Sequence, residues 1–187
     1  MVITNKNIPE IIENPIKEAL SHYPSLADTR IDFVFRDNIN KSFMQAQPRW
    51  YGVFQRKKKR HYVIQMSPVM ELNNQSIPIE EIPHQVIVGW IGHELGHIMD
   101  YTHRTGVGLI AFGVGYVSSQ RYKIGAEQMA DIYAISHGLG SQILATKEFI
   151  LENANIDPTY QEKIKTYYMS PEEVLERIQA NESMSMD

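Results

Sequence analysis

Hydrophobic residues recur most regularly between His84 and about Tyr101, where Val86, Ile87, Trp90, Ile91, Leu95, Ile98 and Met99 form a stripe at helical spacing. The pattern predicts a helix, and Pro83 suits its first turn, where a missing N–H breaks no bond. Upstream, Ile11, Ile12, Ile16, Ala19 and Leu20 predict a helix over Pro9 to His22, with Pro15 arguing for a break or a late start and Tyr23-Pro24-Ser25 closing it. The β-branched and aromatic run Ile31 to Phe35 predicts a buried strand, and polar Arg36 to Gln47 a loop. Arg49 to Gln55 and His61 to Met66 read as an antiparallel hairpin whose tip is Arg56-Lys57-Lys58-Lys59-Arg60. Pro68 ends the second strand, and Glu71 to Ser76 is a polar loop.

Downstream the signals are helical. Gly106 to Val117 is apolar, uncharged and interrupted by four glycines. It reads as a buried connector or short helix, with a mobile lid or partner-binding surface as the sharper alternative. Ser119 to Ser136 predicts a helix capped by Gly138, and Ser141 to Asn153 another. Asp157-Pro158 is an N-cap and N1 pair for a helix to about Tyr168. Ser170-Pro171-Glu172-Glu173 is a capping box starting a last helix to about Ala180, after which Asn181 to Asp187 frays. Strands followed by helices make an α+β fold in one domain. An N-terminal part, 1–103, ends with the His84 helix, and a helical part, 104–187, follows.

Composition narrows the function. A chain of 187 residues with 43% hydrophobic content holds one domain's core. A net charge of −4 gives no global sign of a nucleic-acid or anionic-membrane partner, and the basic cluster reads as a solvated hairpin tip, with a nucleic-acid patch as the alternative. With no cysteine, any metal must be held by His, Asp and Glu. No apolar run reaches the ~20 residues of a membrane span. Without a signal-like N-terminus, a cytoplasmic location is expected, a removed leader remaining open.

The chemistry concentrates in His93-Glu94-Leu95-Gly96-His97, an H-E-x-x-H pattern inside the predicted helix. His93 and His97 lie one turn apart on one face and can grip one metal ion, while Glu94 can reach water there as a general base. Such a histidine pair can also be ordinary surface polarity. Catalytic zinc usually takes three protein ligands, and Glu127 in Glu127-Gln128-Met129-Ala130-Asp131 is the candidate third. Asp131, four residues on, could orient a ligand histidine by accepting its second ring N–H. His103, six residues after His97, is a rival ligand at the spacing of the metzincin pattern, though Asp100 stands where that pattern has glycine. Tyr116, Tyr167, Tyr168, His103 and His137 are all available as oxyanion donors, none distinguished by pattern.

H-E-L-G-H followed by E-x-x-A-D on a later helix resembles the gluzincin group of zinc metallopeptidases, and the small size resembles the compact minigluzincins. The likeness covers roughly His84 to Gly138. It implies a zincin-like fold with one zinc on His93, His97 and Glu127, Glu94 as base and Asp131 hydrogen-bonded to a ligand. It also implies a sheet whose edge strand, expected at Arg60 to Met66, pairs with an extended peptide substrate. The expected function is zinc-dependent peptide-bond hydrolysis. The alternatives are a peptidase held latent by a segment over its cleft and a non-proteolytic zinc module that binds a protein partner.

Overall fold

The computed structural model describes residues 4–37, 39, 42–71, 76–153 and 155–184. The chain is α+β, with a small mixed sheet and a strand pair first and helices after them. β1 (Lys6–Asn7) leads through a 3-10 turn at Glu10–Ile12 into α1 (Glu13–Ser21). Pro15 therefore sits in the first turn of α1, where its missing N–H costs nothing, and the helix starts late instead of breaking. β2 (Arg30–Phe35) turns Ile31 and Phe33 into the core.

The sheet order corrects the expected edge. β4 (His61–Met66) lies between β2, which it parallels, and β3 (Met44–Pro48), which it opposes. β4 is internal and buried on both faces, which is why its sequence is nearly continuous in apolar residues. The edge strand on that side is β3, nearly all of it in the segment read as loop. Its sequence, MQAQP, does alternate, burying Met44 and Ala46 and leaving Gln45 and Gln47 less covered, but Gln and Ala have little β preference. The aromatic run 49–55 forms no strand. It holds a 3-10 turn at Trp50–Gly52 and leaves Trp50, Tyr51 and Phe54 exposed. The hairpin is thus β3–β4, with 49–60 as its connection. Arg56 to Lys59 are solvated as expected, with a 3-10 turn at Lys57–Lys59. Arg60 turns inward and donates to the carbonyls of Tyr101 and Arg104.

β5 (Val69–Glu71) pairs with β6 (Ser76–Pro78), and the loop between them, 72–75, lies outside the described residues. α2 (His84–His103) follows, with Pro83 as its N-cap. It is buried from Val86 to Met99, and α1, β3, α4 (Gln120–Ala134) and α5 (Gly140–Glu152) all pack on it. Gly96 permits the close approach of α4. A Cβ there would lie 2.4 Å from the carbonyl oxygen of Ala130 on α4.

α3 (Gly106–Ser118) is a helix capped by Thr105, but not a buried connector. Only Leu109 and Phe112 are buried, while Val107 is 72% and Val117 83% exposed. α4 is capped by Ser119, whose side chain accepts from the Tyr122 N–H. The chain kinks into α5 through a π turn at Ile135–Leu139, where Gly138 takes φ +82°, as its expected cap role requires. α6 (Pro158–Tyr167) starts on Asp157. α7 (Pro171–Met184) starts on the capping box, with Ser170 and Glu173 bonded reciprocally, and extends into the tail read as frayed. Residues 185–187 lie outside the described residues. No described helix is long and apolar enough to cross a membrane.

Candidate metal centre

Two helices create the site. His93 and His97 project from the buried middle of α2, and the approach at Gly96 brings Glu127 of α4 against both. Glu127 Oε2 lies 3.1 Å from His93 Nε2 and 3.2 Å from His97 Nε2. The three ligand atoms all lie within 4.8 Å of one another, and all three residues are buried. Two ligands on a tetrahedral zinc at 2.0–2.1 Å stand about 3.3 Å apart, so the donor spacing suits such an ion. Two imidazoles and a carboxylate also suit zinc by donor chemistry. A buried His93–His97–Glu127 group able to hold a metal ion is what the fold provides.

The surrounding bonds fix the ligands. Asp131 Oδ1 sits 2.8 Å from His93 Nδ1, so the carboxylate accepts the Nδ1–H and holds Nε2 toward Glu127. Asp131 Oδ2 accepts from Lys147 Nζ at 2.8 Å and from the Met169 N–H at 3.3 Å. Burial alone would raise the Asp131 carboxyl, but Lys147 and His93 hold it below its ordinary range. Burial would likewise raise Glu127, but His97 and His93 beside it hold it well below the usual carboxylate range. For His93 burial acts downward, yet Asp131 and Glu127 overcome it and push the imidazole up to about 10. The Tyr116 hydroxyl, carried on α3, donates to Glu127 Oε1. Burial and the Glu127 charge raise that phenol, so it stays protonated.

Glu94 stands beside the triad and faces the edge strand. Its Oε2 accepts from the Ala46 N–H at 2.6 Å. Burial raises its pKa, against the pull of the two histidines and that hydrogen bond. The Ala46 carbonyl also faces α2, receiving Tyr101 Oη at 3.4 Å. Next to Glu94 and His93 is a cavity of about 30 Å³, room for one water, walled by Met44, Trp90, Tyr160 and Tyr168.

His93, Glu94, His97, Glu127 and Asp131, singled out from the sequence, all meet here. His103 does not: it ends α2 exposed, edge-on to Tyr133. Of the oxyanion candidates, Tyr116 and Tyr168 reach the site, Tyr168 with its ring 5.3 Å from that of His93. His137 stacks on Tyr23 instead, and Tyr167 lies under Lys123. Two members were missed. Lys147 was legible, because it follows Ile143 by four and precedes Ile150 by three, putting it on the buried face of α5. Ala46 contributes only backbone, which no side-chain pattern records. No protein-family model, no curated protein and no solved structure matches this chain.

Proposed function

We propose that the chain is a zinc-dependent peptidase of gluzincin type, using Glu94 as its general base. The observation that carries the reading is Glu94 held against the edge strand beside three convergent buried ligands. Zinc in such a site supplies Lewis acidity, making water a nucleophile near neutral pH and polarising the carbonyl it attacks. The protein's groups do the rest. The Ala46 N–H fixes Glu94 Oε2, which leaves Oε1 to take the proton from the attacking water. Its raised pKa suits that task and the later delivery of the proton to the leaving amine. Asp131 holds the His93 tautomer, Lys147 holds Asp131, and Tyr116 orients Glu127. An extended substrate would lie along β3, whose Ala46 turns both backbone groups toward α2.

One observation favours a second reading, a peptidase in a latent state. The cavity beside Glu94, about 30 Å³ with Met44, Trp90, Tyr160 and Tyr168 in its wall, is far smaller than a peptide. Metal analysis with peptide-library cleavage separates the readings. Glu94→Gln is expected to keep one zinc per chain and lose about 10²–10⁴ in rate. Equal cleavage by wild type and this variant overturns the peptidase mechanism. Stoichiometric zinc with no cleavage by either supports latency or a non-proteolytic zinc module.

A further inference from the structure

α3 is apolar on both of its faces. Leu109, Phe112 and Tyr116 turn toward the protein, while Val107, Ile110, Val114 and Val117 line an exposed face on which Ser118 is the only side chain with a hydrogen-bonding group. The patch continues beyond the helix. A Cβ on Gly106 would lie 3.3 Å from the Phe54 ring, so the exposed aromatic turn carrying Trp50 and Phe54 abuts the start of α3.

The two segments that carry this patch hold charge of a single sign. Residues 42–70 and 101–126 contain nine of the chain's 18 Lys and Arg and none of its 22 Asp and Glu, although the whole chain is acidic. Within the fold, Arg49 pairs with Asp32, Arg104 with Asp100, Arg60 with carbonyls, and Lys123 lies over the Tyr116 and Tyr167 rings. Arg56, Lys57, Lys58 and Lys59 are exposed at one end of α3, Lys57 reaching the His103 carbonyl. Arg121 is exposed past the other end.

We propose that this face docks on an anionic phospholipid bilayer, with α3 lying flat at the headgroup–acyl boundary. Thirteen residues span about 20 Å, too short to cross a membrane but suited to lie in its surface. Trp and Phe beside an apolar stripe match the interfacial zone, and a cluster of lysines matches anionic headgroups. The remaining acidic surface is repelled from such a leaflet, which orients the molecule. A two-fold contact of this face with itself would bring two basic clusters together with no acid to meet them.

Flotation with vesicles of phosphatidylcholine, with and without phosphatidylserine, tests the proposal at about 0.1 M salt. The protein is expected to float with the anionic vesicles, at least tenfold more weakly with neutral ones, and less as salt rises. Trp50 emission should shift to the blue on binding. Joint Val114→Asp and Val117→Asp substitution abolishes flotation. Joint Lys57→Ala, Lys58→Ala and Lys59→Ala substitution weakens it by roughly fivefold per side chain. The lysine variant leaves the helix untouched and decides the matter if the aspartates disturb α3. Absence of flotation, equal flotation with neutral vesicles, or flotation surviving both variants overturns the proposal. So does a wild-type dimer in sedimentation that the aspartate pair dissolves, since a second copy would then cover the face.

Discussion

Gly96→Ala tests whether the α2–α4 approach makes the metal site. A Cβ at position 96 would lie 2.4 Å from the Ala130 carbonyl oxygen and 3.1 Å from its Cα and carbonyl carbon. These are backbone atoms, so no rotamer relieves the overlap. Ordinary contact begins at 3.4 Å, and α4 must therefore retreat by about 1 Å. Glu127 lies on the same turn as Ala130, and its 3.1 and 3.2 Å separations from the imidazoles would open toward 4 Å. Metal–ligand distances tolerate only about 0.2 Å, so zinc affinity should fall at least tenfold. The stability change is smaller. Overpacking costs about 1–3 kcal/mol, and alanine in place of glycine in a helix returns up to about 1 kcal/mol. Competition titration with a zinc chelator reads the affinity, and urea melts read the stability. Gly125→Ala is the control on the same helix. Nothing lies within 4 Å of its added Cβ, so it should stabilise by about 0.5–1 kcal/mol and leave zinc binding unchanged. A Gly96→Ala protein that binds zinc within twofold of wild type refutes the reasoning.

Three other outcomes follow from the site. Lys147→Met leaves Asp131 buried without its ammonium and should cost about 3–5 kcal/mol in urea unfolding; a loss below ~1 kcal/mol would show the pair to be dispensable. Tyr116→Phe removes the donor to Glu127 Oε1 and should weaken zinc binding about 10–100-fold with little change in unfolding, whereas unchanged affinity would sink the orienting role. In chelator, His93 titrates near 10 folded against 6.5 as its ordinary value, so the folded state binds the extra proton. That stabilisation is complete below about pH 6.5 and is lost as pH rises toward 10, so the melting temperature in chelator should fall across this window. Zinc needs the same site deprotonated, so the melting shift that zinc produces should grow with pH, and a pH-independent shift would contradict the linkage.

The parts of this fold legible in the sequence are those whose signal is local. The α2 stripe, the caps at Ser119, Asp157 and Ser170, and the four-residue spacings His93–His97 and Glu127–Asp131 each fit within a turn or two of helix. What escaped depends on distant chain. Met44–Pro48 is a strand because β4 offers it an edge, not because of its own composition. Trp50, Tyr51 and Phe54 look like strand residues but have no strand to pair with, since β3 already occupies that edge of β4. α3 looked like core because apolar composition does not say which face will find a partner.

The buried ammonium of Lys147 also bears on the ionic charge that the pocket would balance. Glu94, Glu127 and Asp131, when ionised, bring three negative charges into a volume shielded from water, and Lys147 returns one positive charge. The deficit of two is what a divalent ion would supply, so with both histidines neutral a loaded pocket would carry no net charge. Donor chemistry then chooses among dications, while electroneutrality disfavours a monovalent ion that leaves buried charge uncompensated. With methionine at 147 the deficit becomes three, and a dication would need a proton on one carboxylate to enter without net charge. A lysine that touches no ligand atom would thereby set the charge that metal and protons together must balance in the pocket.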